Sequence, residues 1–263
     1  MPLPPPSPDQ PAVITGASLG IGKAIAHELA ARGYPVLLVA RQGELLEALA
    51  AEIREKYKVG ADVRVVDLVD PEARSAFQEE LASLDVSILV ANAGFATQGL
   101  WHKGLDYAKE RAEVELNVVA AYENTLAVLP KMLKRRSGGV VLTGSNAGNN
   151  VFPTGSTYAA TKAFVNTFAE SLHFDVKSQG VHVTLLAPGF VETALKDDLK
   201  AGLFSSSLFT ASAEHTAKAT VDGLVKNKLR VVPILAHKIQ TAMALYSARG
   251  LYGRASQLLV GRK

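Results

Sequence analysis

The sequence alternates short, β-branched apolar runs with longer segments in which apolar residues recur every three or four positions. Runs of the first kind predict strands, and segments of the second kind predict amphipathic helices. Several runs are almost wholly apolar, as expected for parallel strands buried on both faces. Strand–helix alternation requires right-handed crossovers, so it predicts a doubly wound α/β fold with helices on both faces of a parallel sheet. The predicted strands are 12–15, 36–40, 63–66, 86–91, 140–143 and 181–186, and the predicted helices are 20–32, 43–57, 71–83, 107–135 and 157–178.

Composition narrows the class of protein further. The chain has 263 residues, of which 48% are hydrophobic and 20% charged, a balance that excludes disorder and fits one large globular domain. It has no cysteine, which excludes disulfides, thiolate metal sites and cysteine nucleophiles. Its six histidines occur singly, so no metal site is predicted. The net charge of +3 is too small to indicate a nucleic-acid partner, and the apolar runs are shorter than the roughly 20 residues of a membrane span. We therefore expect a cytoplasmic protein.

The chain divides into three stretches. Residues 1–10 are rich in proline and predict a disordered leader. Residues 11–230 carry the alternating pattern of a single domain, within which 190–212 is expected to cover the substrate. Residues 231–263 form a basic, amphipathic extension, which we expect to cover the pocket or pack on a partner subunit; contact with an anionic membrane is the less favoured interpretation. The apolar residues of the covering segment favour a lipophilic substrate, although they could equally pack it onto the core: Phe190, Leu195, Leu199, Leu203, Phe204, Leu208 and Phe209.

A glycine-rich turn follows the first predicted strand and opens the first predicted helix. Its glycines permit a tight turn and a close backbone approach to phosphate, and the helix N-terminus favours an anion. Glycines also serve ordinary turns, but the strand–loop–helix context favours a Rossmann-type dinucleotide site. The residues predicted to contact the cofactor here are Gly16, Ser18, Leu19, Gly20, Ile21 and Gly22.

The end of the second strand bears on the choice of dinucleotide. An acid at this place would bind the adenosine ribose of NAD, but the chain has Ala40 followed by Arg41. The absence of a carboxylate removes repulsion against a 2′-phosphate, and a guanidinium can bind that phosphate in a bidentate manner. Arg41 could also be a solvated residue at a strand end. We expect a preference for NADP(H), with some use of NAD(H).

Four further segments could carry chemistry or line the cofactor pocket. Tyr158 and Lys162 are spaced i,i+4 at the start of a predicted helix, which places them on one face, where the ammonium would lower the tyrosine pKa. Ser145 follows the fifth strand and could bind a carbonyl oxygen, or merely cap a turn. Asn117 stands inside a predicted helix, where asparagine is disfavoured. Asn92, Ala93 and Gly94 follow the fourth strand and would line the cofactor pocket.

Taken together, these motifs resemble the short-chain dehydrogenase/reductase family. T-G-x3-G-x-G at 15–22, N-A-G at 92–94, Asn117, Ser145, Y-x3-K at 158–162 and P-G at 188–189 occur in the family's order, and the resemblance runs from about residue 11 to about 195. It implies one Rossmann domain with a seven-stranded parallel sheet. It also implies that the catalytic residues are Asn117, which holds a proton-relay water, Ser145, which positions the carbonyl, Tyr158, the general acid/base, and Lys162, which binds the nicotinamide ribose.

The same resemblance implies further cofactor contacts and an oligomer. Asp67 and Leu68 would border the adenine, and Pro188, Gly189, Val191 and Thr193 the nicotinamide. A homodimer or homotetramer would form through the helices at 107–135 and 157–178. NADP-preferring relatives often have a second basic residue in the glycine loop, whereas this chain has Ser18 and Leu19, so Arg41 would discriminate largely alone.

The function predicted from the sequence is hydride transfer between NADP(H) and a ketone or secondary alcohol, with a small lipophilic molecule as the substrate. A non-catalytic dinucleotide-binding regulator or scaffold is the alternative; the retention of all four polar residues argues against it. A sugar-nucleotide epimerase or dehydratase also uses Y-x3-K, but would need a longer chain and a different glycine spacing.

Overall fold

A sheet of seven parallel strands forms the centre of the computed structural model, which describes residues 3–191, 210–246 and Gly250. Its spatial order is β3-β2-β1-β4-β5-β6-β9, which confirms the predicted doubly wound architecture. The order reverses between β1 and β4, where such sheets bind ligands at their carboxyl edge. The strands are β1 (Ala12–Thr15), β2 (Val36–Ala40), β3 (Ala61–Val65), β4 (Ile88–Ala91), β5 (Gly138–Thr143), β6 (Val181–Leu186) and β9 (Arg230–Val231); β7 (Phe190–Val191) and β8 (Thr210–Ala211) form a separate parallel pair.

Helices cover both faces of the sheet because successive strand residues point to opposite sides. Ile14 and Val90 belong to one buried cluster, and Val13 and Leu89 to the other. The first face carries α1 (Gly20–Ala31), α2 (Gly43–Tyr57) and α7 (Ala213–Val225); the second carries α3 (Pro71–Ser83), α5 (Ala121–Arg135) and α6 (Ser156–Val176). The remaining helices are α4 (Tyr107–Val114), a π-helix (Glu115–Ala120), α8 (Leu235–Tyr246) and the 3-10 turns Trp101–Lys103, Asn146–Asn149 and Lys177–Gln179.

Two elements differ from the sequence-based expectation. The helix predicted over 107–135 is three consecutive segments, since a π-helix separates α4 from α5. Strand β9 has only two residues, too few to show an alternating pattern, and it was not predicted from periodicity. The resemblance to a seven-stranded family did imply a seventh strand.

The proline-rich leader is packed rather than disordered over its described part, residues 3–10, which corrects the prediction. Leu3 packs against the core beside Gly139, and the carbonyl of Pro4 accepts a hydrogen bond of 2.8 Å from the Tyr34 hydroxyl. The Gln10 side chain donates to Asp85 at 2.6 Å. Composition alone missed this because an extended proline-rich segment needs no hydrogen bonds of its own and can still bury apolar side chains.

Several predicted features lie outside the described residues: Thr193, most of the covering segment, including every leucine and phenylalanine of it after Phe190, and the extension beyond 246 apart from Gly250. In the described part of the chain, no helix combines the length and apolar character needed to cross a membrane. The same part contains no cluster of three or more acidic or histidine side chains placed to hold a metal ion.

Candidate active site

The glycine-rich turn is held at the carboxyl edge by Thr15 and Asn92. The Thr15 hydroxyl accepts hydrogen bonds from the backbone N–H groups of Asn92 (3.0 Å) and Ala93 (3.1 Å). The Asn92 amide donates to the carbonyls of Thr15 (3.1 Å) and Gly16 (3.3 Å). The first and fourth strands therefore share one polar network, and the predicted N-A-G segment packs directly on the predicted phosphate loop.

The glycines of this turn leave no room for a side chain. Gly16 has φ +66°, and a Cβ there would lie 2.9 Å from the Cα of Ala93. A Cβ on Gly22 would lie 2.1 Å from the Gly16 carbonyl oxygen. Helix α1 begins at Gly20 and places its first N–H groups at the loop. These features fit a dinucleotide, whose pyrophosphate needs an open backbone surface and a helix N-terminus.

Arg41 and Asp67 follow β2 and β3 and lie side by side. The Arg41 guanidinium is 3.8 Å from the Asp67 carboxylate, and both side chains are largely accessible, at 65% and 46%. Leu68 is buried next to Asp67. Gln42, which the sequence analysis did not select, accepts a 2.8 Å hydrogen bond from the Ser18 hydroxyl. Arg41 is thus an accessible cation whose neighbour in the chain, Gln42, contacts the glycine loop.

Ser145 and Tyr158 are brought together by the turn after β5 and the first turn of α6. The Ser145 hydroxyl lies close enough to the Tyr158 phenol to lower its pKa, and it accepts a hydrogen bond of 3.1 Å from the N–H of Ala147. The backbone of Ser145 is fixed on both sides by Asn166, whose amide oxygen accepts from its N–H (3.2 Å) and whose amide nitrogen donates to its carbonyl (2.9 Å). Asn166 was missed in the sequence, although its i,i+4,i+8 spacing with Tyr158 and Lys162 places all three on one helix face.

Lys162 is buried at the centre of the site. Its Nζ donates to the carbonyl of Thr143 at 2.8 Å and lies 5.8 Å from the centroid of the Tyr158 ring. Burial lowers the pKa of Lys162 to about 8, and the carboxylate of Glu113 acts in the opposite direction. The ammonium is therefore held by one neutral acceptor and one distant negative charge.

The pKa of Tyr158 departs from the sequence-based expectation. Burial raises it above its usual value, the hydrogen bond with Ser145 lowers it, and the Glu113 charge raises it again. Lys162, which was expected to lower it, does not contribute to this shift, and desolvation disfavours the phenolate more strongly than Ser145 stabilises it. Tyr158 is accordingly a hydroxyl donor at neutral pH.

Asn117 lies in the π-helix and joins it to the loop after β4. Its amide donates to the carbonyl of Phe95 (2.9 Å) and the hydroxyl of Thr161 (3.1 Å), and its amide oxygen accepts from the N–H of Phe95 (3.1 Å). The hydrogen-bonding groups of the Asn117 side chain are thus taken up by contacts within the protein. Any contact of this position with a relay water would use the backbone, whose hydrogen bonding is altered in a π-helix.

The segment after β6 is fixed by helix α8. The N–H of Gly189 donates to Nδ1 of His237 at 3.1 Å, and a Cβ on Gly189 would lie 2.6 Å from that ring. Asn146, next to Ser145, donates to the His237 carbonyl (3.1 Å) and accepts from the Thr241 hydroxyl (2.6 Å). Pro188 and Val191 on either side are buried. Helix α8 therefore forms a wall of the site, as one interpretation of the extension expects.

Trp101 borders a groove that is separate from the four predicted catalytic residues. It borders an apolar groove of about 440 Å³ between α6 and the α4/π-helix segment, and its indole N–H donates to the Ser156 hydroxyl at 2.9 Å. None of the four predicted catalytic residues lines this groove.

Comparison with known proteins identifies the family. A family model described as "short chain dehydrogenase" matches residues 10–203. The chain is 35% identical over 188 residues to the human "Very-long-chain 3-oxoacyl-CoA reductase", covering 70% of this chain and 60% of that protein. It is 32% identical over 250 residues to the human "Inactive hydroxysteroid dehydrogenase-like protein 1", covering 94% and 75%. The chain thus spans about three fifths of the length of the very-long-chain reductase.

Solved structures of short-chain dehydrogenases have the same fold as this chain. A short-chain dehydrogenase from Sphingobium yanoikuyae in complex with NADPH superimposes with a TM-score of 0.81 at 26% identity, over 97% of this chain and 96% of that one. A 7beta-hydroxysteroid dehydrogenase superimposes with a TM-score of 0.85 at 25% identity, over 94% and 96%. These matches agree with the fold, the glycine turn and the serine–tyrosine–lysine arrangement. This chain therefore belongs to the short-chain dehydrogenase family.

Proposed function

We propose that the protein is an oxidoreductase that transfers hydride between NADP(H) and a ketone or secondary alcohol. The observation that carries this proposal is the adjacent pair of Ser145 and Tyr158 beside the buried Lys162, at the carboxyl edge where the glycine turn also lies. This is the arrangement that proton transfer to or from a reacting oxygen requires. When bound, the nicotinamide supplies or accepts the hydride.

The chain's own residues divide the remaining tasks. In reduction, Tyr158 donates its hydroxyl proton to the carbonyl oxygen, which gains negative charge; in oxidation it takes that proton back. Ser145 donates to the same oxygen and holds Tyr158 in place. Lys162, as an ammonium 5.8 Å from the centroid of the Tyr158 ring, would favour the phenolate that forms after proton transfer, in the direction opposite to desolvation.

The proposed preference for NADP(H) is supported by Arg41, an accessible guanidinium next to the glycine loop, and by the NADPH-bound relative. Hydrogen bonds to a charged group contribute about 1.5–3 kcal/mol, so Arg41→Ala is expected to weaken NADPH binding by about tenfold or more and to leave NADH binding nearly unchanged. Arg111→Ala, at an exposed arginine of α4, is the matched control. Equal losses for both dinucleotides would contradict the assignment.

The proposed substrate is lipophilic. This is supported by the seven apolar residues in 190–209 and by relatives whose names refer to very-long-chain 3-oxoacyl-CoA and to a hydroxysteroid. The expected result is a kcat/KM that rises with chain length across a series of 3-oxoacyl-CoA substrates, or that favours steroid ketones over small ketones. A preference for small, polar ketones would contradict it.

One experiment tests the reaction itself. NADPH consumption is measured with this ketone panel for the wild type and for Tyr158→Phe, which keeps the ring and removes the proton donor. Loss of a general acid typically costs about 10²–10⁴-fold in rate, so turnover should fall by that factor while NADPH binding is retained. Tyr107→Phe removes a hydroxyl from an exposed tyrosine and should be silent.

A non-catalytic dinucleotide-binding protein is the second candidate, since a relative that matches over 94% of this chain carries "Inactive" in its name. It predicts measurable NADPH binding, by fluorescence or calorimetry, without turnover of any ketone in the panel. Wild-type turnover that depends on Tyr158 would exclude it.

We also propose that the protein forms a dimer or tetramer through α5 and α6. An aromatic cluster of Tyr122, Phe164 and Phe168 joins these helices, and the rings of Phe164 and Phe168 stack at 5.9 Å. Tyr122, Phe164 and Leu126 remain exposed at its surface. Apolar patches of this kind mark protein interfaces. Phe164→Glu is expected to lower the mass seen by light scattering to that of a monomer; an unchanged mass would contradict the proposed interface.

A further inference from the structure

Glu113 is a buried acid that neither the predicted site nor the proposed mechanism uses. Its side chain is fully inaccessible, and among the residues that the structure describes no other aspartate or glutamate is buried. Within the same part of the chain, Lys162 is the one buried lysine. The single buried carboxylate and the single buried ammonium thus belong to neighbouring parts of one site, and a buried charge requires compensation.

The contacts of Glu113 are those of an ionised carboxylate. One oxygen accepts from both the backbone N–H (3.1 Å) and the hydroxyl (2.5 Å) of Thr97, in the loop after β4. The other oxygen lies 3.5 Å from the amide nitrogen of Asn117, one helical turn further along. The Thr97 N–H and the Asn117 amide nitrogen can only donate, so both fit an ionised carboxylate, and the Thr97 hydroxyl can donate to it as well.

A short path leads from Glu113 to Lys162. A Cβ placed on Gly94 would lie 2.7 Å from the Asn117 amide oxygen and 3.4 Å from the Lys162 Nζ. Asn117 and Lys162 therefore face the same point of the backbone, and Glu113 faces Asn117 from the other side. Within residues 3–191 and 210–246, the ammonium has one hydrogen-bond acceptor, the neutral carbonyl of Thr143.

We propose that Glu113 is a positioning residue of this site, an ionised carboxylate that supplies the counter-charge of Lys162 and orients Asn117 and the loop at Thr97. The inference rests on the proposed function, because it assigns a task within the same site.

Glu113 and Lys162 each favour the charged form of the other, whereas burial disfavours both charges. Burial lowers the pKa of Lys162 to about 8, and Glu113 raises it. The pKa of Glu113 is raised above its usual value, chiefly by burial and further by Glu110, although the two Thr97 donors and Lys162 lower it. Tyr158 is the remaining titratable group that feels the Glu113 charge. Without Glu113, less than half of Lys162 would be charged near pH 8.

The test is Glu113→Gln, which keeps the shape of the side chain and removes its charge. The Lys162 Nζ resonance of 15N-labelled protein, assigned with Lys162→Arg, is followed from pH 6 to 10. We expect the Lys162 titration to move to lower pH by about half a unit or more, the direction that loss of an opposite charge produces. Thr97→Val, which removes one donor to the carboxylate, should move it the same way by less. Glu110→Gln, one turn earlier on α4, should not lower it.

Activity gives a second readout. In an active wild type, the alkaline limb of the kcat/KM profile should shift to lower pH in Glu113→Gln in step with the Lys162 titration. An unchanged titration in a folded Glu113→Gln protein, checked by its melting temperature, would overturn the proposal whatever the activity. Absence of wild-type turnover with a shifted titration would overturn the proposed reaction and leave the counter-charge assignment standing.

Discussion

Replacing Lys162 by methionine should remove a pH dependence from the stability of the protein. In the folded protein the pKa of Lys162 is lowered to about 8 from 10.5 because the side chain is buried. Between these two values the unfolded chain binds a proton that the folded protein does not. The free energy of unfolding therefore rises with pH in this range, and the contribution is nearly constant below pH 8.

The magnitude follows from the two pKa values. The full difference corresponds to about 3 kcal/mol of destabilisation by Lys162 at pH 7, of which about 1 kcal/mol is relieved by pH 9. Lys162→Met also removes the hydrogen bond to the Thr143 carbonyl, at a cost of about 1–3 kcal/mol at either pH. That cost cancels when one variant is compared at two pH values, so the slope is more informative than either stability alone.

The assay is urea unfolding at pH 7 and pH 9, at matched protein concentration, followed by circular dichroism. Relative to Lys162→Met, the wild type should gain about 1 kcal/mol on going to pH 9. Lys134→Met, at an exposed lysine of α5, should keep the wild-type slope. Equal slopes for the wild type and Lys162→Met would show that Lys162 does not titrate in this range, which would refute the reasoning.

Three other substitutions probe the frame around the site. Gly22→Ala sets a Cβ against the Gly16 carbonyl at 2.1 Å, so it should cost about 1–3 kcal/mol in urea unfolding and weaken NADPH binding; wild-type affinity would contradict the close packing of the turn. Asn166→Leu removes both hydrogen bonds to the Ser145 backbone, so kcat should fall with KM for NADPH little changed; a change confined to that KM would argue for a different role. Thr241→Val removes a 2.6 Å hydrogen bond from α8 to the turn after β5, and it should lower kcat without changing the oligomer mass; unaffected kinetics would mean that α8 is only a cover.

The elements that sequence predicts best are those whose burial is set locally. Strands β1, β2 and β6 have the predicted bounds because their apolar runs are buried on both faces. Strand β5 starts two residues earlier than predicted, at Gly138, since glycine carries no strand signal of its own and pairing with β6 extends the strand. The two-residue β9 exists only through its pairing with β6.

The residues of the site also fall into those that the sequence predicts and those that depend on tertiary packing. Tyr158, Lys162 and Ser145 were predicted because their spacing and their place after strands are visible in the sequence. Glu113 was not, since in a segment rich in charged residues it reads as one more solvated acid, and its burial is decided by the loop at Thr97 packing over it. The direction of the Tyr158 pKa shift was predicted wrongly for a related reason. Helix spacing shows that Lys162 is a neighbour of Tyr158, but it does not show how strongly burial desolvates the phenol.

The packed leader has a consequence for how the protein can be altered. Leu3 and Pro4 lie at the amino end of the strands, beside Gly139, whereas Ser145 and the glycine turn lie at the carboxyl end. Substitutions at the amino-terminal edge of the sheet can therefore change stability without changing catalysis. Truncation of the leader, or an affinity tag that displaces it, is expected to lower the melting temperature. Natural or laboratory selection can work on the two edges separately, so robustness and specificity need not be traded against each other.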